Sequence, residues 1–557
     1  MPIGKIIPFE WYPLLPGDTH QVKLPSLVKL TSTFFRPIMD DLYLDVFATF
    51  TPLRLLYDKT ESVFGTPSSS QYKNATFSAF PNIFTSTTTE TNPIPIVGSI
   101  ADYLGLPTYG MIDASAYSIL PFRCYAKTFN EYCMNQNVSQ ETYVNTGETS
   151  TTEFLNGNPW SPTNYTGMPA PAPRYRDYFS TCVLAPQKGP SVKIPGILGR
   201  VPVFSLSAPH NITPPSGTYA PLKLGNPQGN LDSEMHSLIK GTTNNLNYDI
   251  STQGHQIVPG GDLSFTNLWA VNQVNSSGNS DGTAADATIN ALRLAFQFQK
   301  YYERSSFYGS RLREHIYATY GTLSDDASLQ VPQFLGRSHC RLNINSVAST
   351  SSAEGVDVNL DYPVGQFAGT SNTFINSSLR YTYSATEYGI VMYFAMIRYK
   401  HLYSQGVSRF WKQSNRTDFY DPLFANIGMQ AVMVDEIDAE RYSLSEPYPS
   451  GTVFGYQEAW SHYRYLPNRV SGQARPSPDS LGQYWSVADF YDKAPSLLDL
   501  AVETNEPFDR VLTVRQEKDI NNPKAAYQDP FIADFNFQIT NLSTVVGHSL
   551  PGYVDHH

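Results

Sequence analysis

Acidic side chains are the first place to look for catalysis in this chain, because two carboxylates facing each other across a cleft hydrolyse glycosidic bonds. Glu387, Glu458 and Asp509 are the residues on which a secreted β-sandwich glycosidase would depend, yet each also fits a strand end or a turn. We find no nucleophile elbow, no HExxH and no phosphate-binding loop. The sequence therefore predicts no catalytic residue and no cofactor.

Metal ligands are equally sparse. The adjacent pairs Asp40-Asp41 and Asp325-Asp326 lack the spaced oxygen ligands of a calcium site, so no metal is predicted. Cysteines that form neither a CxxC pair nor a zinc spacing are expected to be free and mostly buried, as in a cytoplasmic protein. They are Cys124, Cys133, Cys182 and Cys340. No apolar run approaches the roughly 18 residues of a membrane span, and we expect no membrane insertion.

Two stretches interleave basic with aromatic residues, the combination with which proteins bind single-stranded nucleic acid. The formal net charge of −11 does not favour nucleic-acid binding by the whole surface, so contact with DNA would need local patches. A solvated or subunit-facing surface is the alternative for both stretches. The candidate DNA-facing residues are Lys300, Tyr301, Arg304, Arg311 and Arg313 in the first, and Arg398, Lys400, Arg409, Trp411, Lys412 and Arg416 in the second.

The composition indicates β structure with extensive contact surfaces. Charged residues make up 16% and aromatic residues 13% of the chain, and Tyr, Phe and Thr favour pleated, half-buried positions. Leu42 to Phe50 is apolar on both faces, and Glu387 to Lys400 is apolar in its middle, as a central strand should be. Phe531 to Thr540 alternates, and we expect strands near the two chain ends to pair in one sheet of a sandwich.

Helices and loops divide the rest of the chain. We predict helices at about 122–134, from Thr288 to Ser305, and from Ser310 to Tyr320 with Gly321 at its end. The charge-poor region 191–287 is predicted to be an inserted subdomain of short strands and turns between parts 1–190 and 288–557. Long segments that would supply contact surfaces are predicted at 51–120, 135–175, 321–385 and 465–530.

Segments spread over most of the chain match a known protein family, and they occur in the same order as in that family. They include GKIIP at 4–8, PIMDDLYLDVFATFTPLRLLYD at 37–58, LPFRCYAKTFNEY at 120–132, VFGYQEAWSHYRY at 453–465 and PGYVDH at 551–556. In these the chain resembles the major capsid proteins of the Microviridae, in the gokushovirus-like branch. It departs from them in beginning almost at the GKIIP segment, and in having Tyr57 and Asp421 where the family often has Trp.

The resemblance implies an eight-stranded antiparallel jelly roll with long loop insertions and a few short helices. It further implies a T=1 icosahedral shell around circular single-stranded DNA, assembled in the host cytoplasm with scaffolding and minor virion proteins. The insert would form a protrusion near the three-fold axis, used in host attachment. An adhesin or other glycan-binding protein is the alternative. In either case the residues expected to stack on sugar rings are Tyr219, Tyr248 and Trp269.

Subunit contacts in such a shell would use aromatic and arginine anchors, which dominate interface energetics. The alternative is that these rings fill the core. The candidate interface residues are Phe410, Tyr456, Trp460, Tyr463, Arg464 and Tyr465.

Overall fold

The computed structural model describes residues 1–31, 34, 38, 40–64, 79–83, 97–109, 116–139, 141–142, 144–148, 167–192, 201–202, 248–250, 257–259, 269–270, 289–307, 311–343, 346–348, 367–370, 372–440, 451–466, 470–477, 481–512, 529–543 and 545. The chain forms two compact units, residues 1–188 with 303–557 and residues 189–302. The three-part division predicted from the sequence stays a prediction.

Strands dominate the first unit. In chain order its strands are β1 (Ile7–Leu14), β2 (Thr19–Leu30), β3 (Leu42–Pro52), β8 (Gln333–Leu342), β9 (Ser346–Ala348), β10 (Phe367–Thr370), β11 (Asn372–Ser384), β12 (Gly389–Tyr399), β13 (Met429–Met433), β14 (Val453–Glu458), β15 (Phe531–Phe535) and β16 (Gln538–Leu542). The second unit contains the short strands β4 (Val201–Pro202), β5 (Tyr248–Ile250), β6 (Ile257–Pro259) and β7 (Trp269–Ala270). All pairings between these strands are antiparallel.

Two four-stranded sheets form the centre of the first unit. The first sheet has the order β1-β12-β3-β8, and the second places β2 between β11 on one side and β15 with β16 on the other. Every residue of β12 is buried, and β3 is buried on both faces apart from Tyr43. The predictions of a central strand and of a strand enclosed between two layers are therefore confirmed.

The two sheets pack face to face around one core. Leu44 and Val46 of β3 contribute to this core from the first sheet, and Val22 and Leu24 of β2 contribute from the second. A second core covers the opposite face of the first sheet, where Phe47 and Phe394 meet apolar residues of helix α3 and the loops around it. The first sheet is thus the middle of three layers, which explains why its central strands are apolar on both faces.

Strands from the two ends of the chain pair in the second sheet, as predicted. Residues 26–30 of β2 pair with β15, and residues 19–23 pair with β16. The predicted alternation of Phe531 to Thr540 is confirmed up to Phe537, but Ile539 is 44% exposed because a break at 536–537 separates the two strands.

Short helices connect the strands. They are α1 (Thr60–Phe64), α2 (Ile100–Tyr103), α3 (Leu120–Thr128), α4 (Ile289–Phe307), α5 (Leu312–Tyr320) and α6 (Glu506–Val511), and one π-helical turn, Phe129–Cys133, extends α3. The three predicted helices are confirmed, including the end of α5 at Gly321, whose φ of 72° is the left-handed geometry of a glycine cap.

Two predicted loops are wrong in part. The segment 321–385 contains β8 and β11, long strands of the two main sheets. The segment 135–175 ends in buried chain, with Ala170 and Ala172 in the second core because β1 and its neighbours close over them. The mainly β, antiparallel fold with few short helices is confirmed, while the jelly-roll connectivity of eight strands stays a prediction. The cysteines are free and three of the four are buried, as expected.

Gly389, at the start of β12, offers a test of how closely the two central strands are packed. A Cβ atom there would lie 2.3 Å from Cε2 and Cζ of Phe50 and 2.9 Å from the carbonyl oxygen of Thr51. We expect Gly389→Ala to lower the free energy of unfolding by about 1–3 kcal/mol through overpacking, measured by urea denaturation of the unassembled chain. Gly336→Ala in β8 is the matched control, since its nearest contact would be an ordinary 3.4 Å. Equal stability of the two variants would contradict the packing described.

Candidate nucleic-acid and subunit interfaces

The acidic residues proposed for glycoside hydrolysis have structural partners. Glu387 forms an ion pair with Arg54, whose Nε lies 2.7 Å from Oε2, and Glu458 forms one with Arg464 at the same N···O distance. Within the described residues, no group of three or more His, Cys, Asp or Glu side chains is arranged to hold a metal ion. Likewise, no helix in the described ranges has the length and hydropathy to cross a bilayer.

The first basic stretch is divided between exposed and anchored residues. Lys300 and Tyr301 are exposed on α4, whereas Arg304 donates from Nη2 to the carbonyl oxygen of Ala318 on α5. Arg311 is largely buried and donates from Nη2 to the carbonyl oxygens of Asn130 and Met134. Its role in the fold is to fasten α5 to the π-helical turn.

Arg313, the last cation of the first stretch, lies 2.6 Å from Oδ1 of Asp326 in an ion pair. The same carboxylate accepts the backbone N–H of Phe334 through Oδ2. Asp326 therefore joins the first turn of α5 to the start of β8.

The second basic stretch contains a buried arginine. Arg398 is 5% exposed, and its Nε lies 2.9 Å from Oδ2 of Asp45. Its Nη1 donates to the carbonyl oxygen of Pro173. We leave Arg398 out of any surface that meets DNA, because its charge is already neutralised beneath the surface.

Other cations of the second stretch pair with the segment 434–436. Lys412 forms an ion pair with Asp435, and Arg409 lies 3.7 Å from Glu436 while donating to the carbonyl oxygen of Ala431. Lys400 and Arg416 are exposed. Trp411 is 80% exposed and follows Phe410, which is 41% exposed, in the chain.

Several candidate interface residues come together in one cluster, which we call the aromatic surface: Phe410, Tyr420, Trp460, His462 and Tyr463. The ring of Tyr463 lies 5.3 Å from Phe410, 4.7 Å from His462 and 6.4 Å from Tyr420. Trp460 is buried beneath them and donates its Nε1–H to the carbonyl oxygen of Phe424. Phe410, Tyr420 and Tyr463 are each about 40–50% exposed, so the cluster is both a small core and a surface.

His462 is buried in the aromatic surface without a polar partner. Neither ring nitrogen has a hydrogen-bond partner, and burial with a smaller effect of Arg409 lowers the pKa of His462 to about 4. The imidazole is therefore neutral at pH 7 and acts as an apolar ring.

The remaining interface candidates lie outside the aromatic surface and differ in burial. Tyr465 stacks on Tyr178, with 4.9 Å between ring centroids, in a third buried cluster. Tyr456 exchanges backbone hydrogen bonds with Val183 and is half-buried, whereas Arg464 is exposed. The aromatic surface thus retains Phe410 and Tyr463 as exposed rings, and Trp460 as their support.

Sequence reasoning missed a buried polar network of His401, Arg174, Asp489, Glu503 and Tyr491. His401 lies between two carboxylates, with Nδ1 2.8 Å from Asp489 and Nε2 2.5 Å from Glu503. Arg174 Nη1 lies 2.9 Å from Asp489, which also accepts the hydroxyl of Tyr491. Burial would lower the pKa of His401, but the two carboxylates outweigh it and raise the pKa to about 9. The network joins β12 to the segments around 174 and 489–503.

The receptor-facing candidates lie in the second unit. Tyr248 and Trp269 belong to strands β5 and β7, but their side chains, and the whole of Tyr219, lie outside the described residues. Their role in sugar binding stays a prediction.

An antiparallel two-sheet core with an exposed aromatic surface suits a protein that acts through contact surfaces. The chain matches the family model of the capsid protein (F protein) over residues 1–552, and it belongs to that family. It is a phage major capsid protein, a component of the virion, and membership implies assembly into a multimeric shell.

The curated relatives are capsid proteins of a Spiroplasma virus and of two phages. The chain is 32% identical to capsid protein VP1 of Spiroplasma virus 4, over 99% of this chain and 92% of the relative. It is 30% identical to capsid protein VP1 of Chlamydia phage 1, over 98% and 92%, and 28% identical to that of Bdellovibrio phage phiMH2K, over 97% and 90%. The resemblance to the Microviridae drawn from the sequence is confirmed.

Proposed function

We propose that the chain assembles, without enzymatic activity, into a T=1 icosahedral shell that encloses a circular single-stranded DNA genome. The observation that carries the proposal is the match of nearly the whole chain to phage capsid proteins. Closed symmetric shells need contacts that close into rings together with self-complementary two-fold contacts, and the aromatic surface has the residue types that stabilise such contacts. Assembly takes place in the host cytoplasm, with scaffolding and minor virion proteins, and the second unit serves in host attachment.

Electron microscopy and light scattering of the expressed chain test this proposal, with co-expressed phage scaffolding proteins in a second arm. Closed particles of uniform size support the shell. A monomer in both arms that hydrolyses or binds a glycan would contradict it and favour the secreted glycan-active alternative.

Trp411 tests whether the region beside the aromatic surface is a subunit interface. We expect Trp411→Ala to raise the subunit concentration needed for assembly by roughly tenfold or more, because truncated interface tryptophans typically cost about 2 kcal/mol or more per contact. The free energy of unfolding of the unassembled chain should change by less than about 0.5 kcal/mol, since the side chain is exposed. Light scattering over a concentration series measures the first quantity and urea denaturation the second.

Tyr320→Ala is the matched control, because Tyr320 is also an exposed aromatic residue but lies outside the aromatic surface and outside the predicted contact segments. A Trp411→Ala chain that assembles at the wild-type concentration would remove this region from the proposed interface.

A further inference from the structure

The face of the first sheet that is covered by the second core changes from apolar to basic towards one end. Across strands β12, β3 and β8 the register produces three successive rows of side chains on this face. The rows are Phe394, Phe47 and Arg337; Met396, Asp45 and His339; and Arg398, Tyr43 and Arg341. The first row begins in the second core, where Phe394 and Phe47 are buried. The last row contains two arginines and a tyrosine.

The basic side chains of β8 are exposed along a regular line. The side chains of Arg337, His339 and Arg341 are 48%, 45% and 62% exposed. Alternate residues of a strand lie on one face and repeat about every 6.7 Å, so the three side chains form an evenly spaced row at the sheet edge. Lys400, directly after β12, is exposed at the same end.

A buried carboxylate fixes the positions of this row. Asp45 is fully buried and accepts hydrogen bonds from Arg398, from Nη2 of Arg337 at 2.9 Å and from the hydroxyl of Tyr175 at 2.7 Å. Burial would raise the pKa of Asp45, but Arg398 and the other donors outweigh it and lower the pKa to about 2. The carboxylate is therefore ionised and holds Arg337 at the sheet edge. Its single negative charge does not neutralise all the basic side chains around it.

The charge of the group is positive although the chain as a whole is acidic. Four permanent cations, Arg337, Arg341, Arg398 and Lys400, surround the two carboxylates Asp45 and Asp41, the second of which pairs with Arg341. With Asp40, which lies beside Asp41, four positive and three negative charges leave an excess of one, in a chain whose formal net charge is −11. A local positive region on an acidic protein attracts anions where that region lies.

Aromatic rings lie among these cations. Tyr43 stacks on His339, with 4.6 Å between ring centroids and 17° between planes. Nζ of Lys400 lies 5.6 Å from the centroid of Tyr43. Cations beside flat rings are the combination with which proteins bind single strands, the cations pairing with phosphates and the rings with bases.

We propose that this surface, which we call the β8 patch (Arg337, His339, Arg341, Lys400 and Tyr43), binds single-stranded nucleic acid. Arg337, Arg341 and Lys400 contact phosphates, and the stacked pair of Tyr43 and His339 offers a plane for a base. The inference rests on the proposed function, since the encapsidated genome is the strand concerned. Only Lys400 of these residues was a candidate from the sequence, because β8 was expected to be loop.

The double variant Arg341→Gln/Lys400→Gln tests the proposal while leaving the Asp45 network intact. The probe is fluorescein-labelled oligo(dT) of 20 nucleotides, titrated with the unassembled chain at several salt concentrations. Each lost phosphate contact lowers the slope of log K against log salt by about 0.7 for a single strand, so we expect the slope to fall by about 1.4. The charge-matched control is Lys29→Gln/Lys493→Gln, which removes two exposed cations that lie outside the β8 patch and outside both basic stretches.

Two results would overturn the proposal: an unchanged slope for the β8 variant, or an equal loss for the control variant. Urea denaturation of both variants verifies that the fold is retained. A matching oligomer of abasic nucleotides tests the ring pair, and we expect it to bind about tenfold more weakly, the low end of the range for base stacking. Binding of poly-glutamate as tightly as oligo(dT) would point to an acidic protein partner and also contradict the proposal.

Particle formation separates this inference from the proposed function. If the wild-type chain forms shells and the β8 variant keeps its full affinity for oligo(dT), the β8 patch is contradicted but the shell proposal is not. Chain that never forms shells, yet loses oligo(dT) binding in the β8 variant, would end the shell proposal and leave the β8 patch as a nucleic-acid site.

Discussion

Replacing Asp489 by alanine is expected to lower the free energy of unfolding by about 3–5 kcal/mol, because it would leave buried cations without their anion. Asp489 is 2% exposed and lies 2.9 Å from Arg174 and 2.8 Å from His401. Burial would raise the pKa of Asp489, but the two cations outweigh it and hold that pKa well below its ordinary value. The carboxylate is thus charged in the folded chain and balances the network.

Urea denaturation of the unassembled chain measures this loss. Asp492→Ala is the matched control, since Asp492 is exposed three residues further along the same segment and its replacement should change stability by less than about 0.5 kcal/mol. If Asp489→Ala were as stable as that control, the network would contribute nothing to the fold.

His401 is expected to make stability fall as pH rises. Its folded pKa of about 9 lies above the ordinary value of 6.5, so its contribution is fully present below about pH 6.5 and is lost as pH rises through about 9. A difference of this size corresponds to a contribution on the order of 3 kcal/mol. The physical reason is that deprotonation leaves Asp489 and Glu503 facing an uncharged ring in a buried site.

The measurement compares wild type with His401→Gln by urea denaturation from pH 6 to pH 10. We expect the stability advantage of the wild type to shrink across this range, while groups common to both chains cancel. His462→Gln should keep the wild-type pH dependence above about pH 7.5, because burial lowers the pKa of His462 to about 4 and its ring is uncharged in that range. A constant difference between wild type and His401→Gln would show that His401 is not charged in the folded chain.

Long apolar runs made the central strands predictable. β3 and β12 are buried on both faces, and a buried strand needs little beyond hydrophobic and β-branched or aromatic residues, which the sequence displays directly. β8 was missed because its exposed face contains arginine and histidine, while glycine and serine occur within its other positions. A half-exposed edge strand of this composition resembles a loop when its partners are unknown.

The sequence indicated which residues form the candidate surfaces, but not which of their side chains are exposed. Aromatic density singled out Phe410, Trp460 and Tyr463, yet sequence cannot tell the buried support, Trp460, from the exposed rings. Arg398 was predicted to be a surface cation, but it pairs with Asp45, which is 353 residues away in the chain. His401 is 88 residues from Asp489 and 102 from Glu503, and no local pattern marks contacts over such separations.

The pairing of β2 with β15 and β16 has a consequence for biosynthesis. Residues 19–30 emerge early from the ribosome, but the strands that cover one of their edges lie at 531–542. Until those last strands are translated, the nascent chain has an open edge on its second sheet, and such edges invite unwanted pairing. One edge of the second sheet can therefore be covered only after residues 531–542 have been translated.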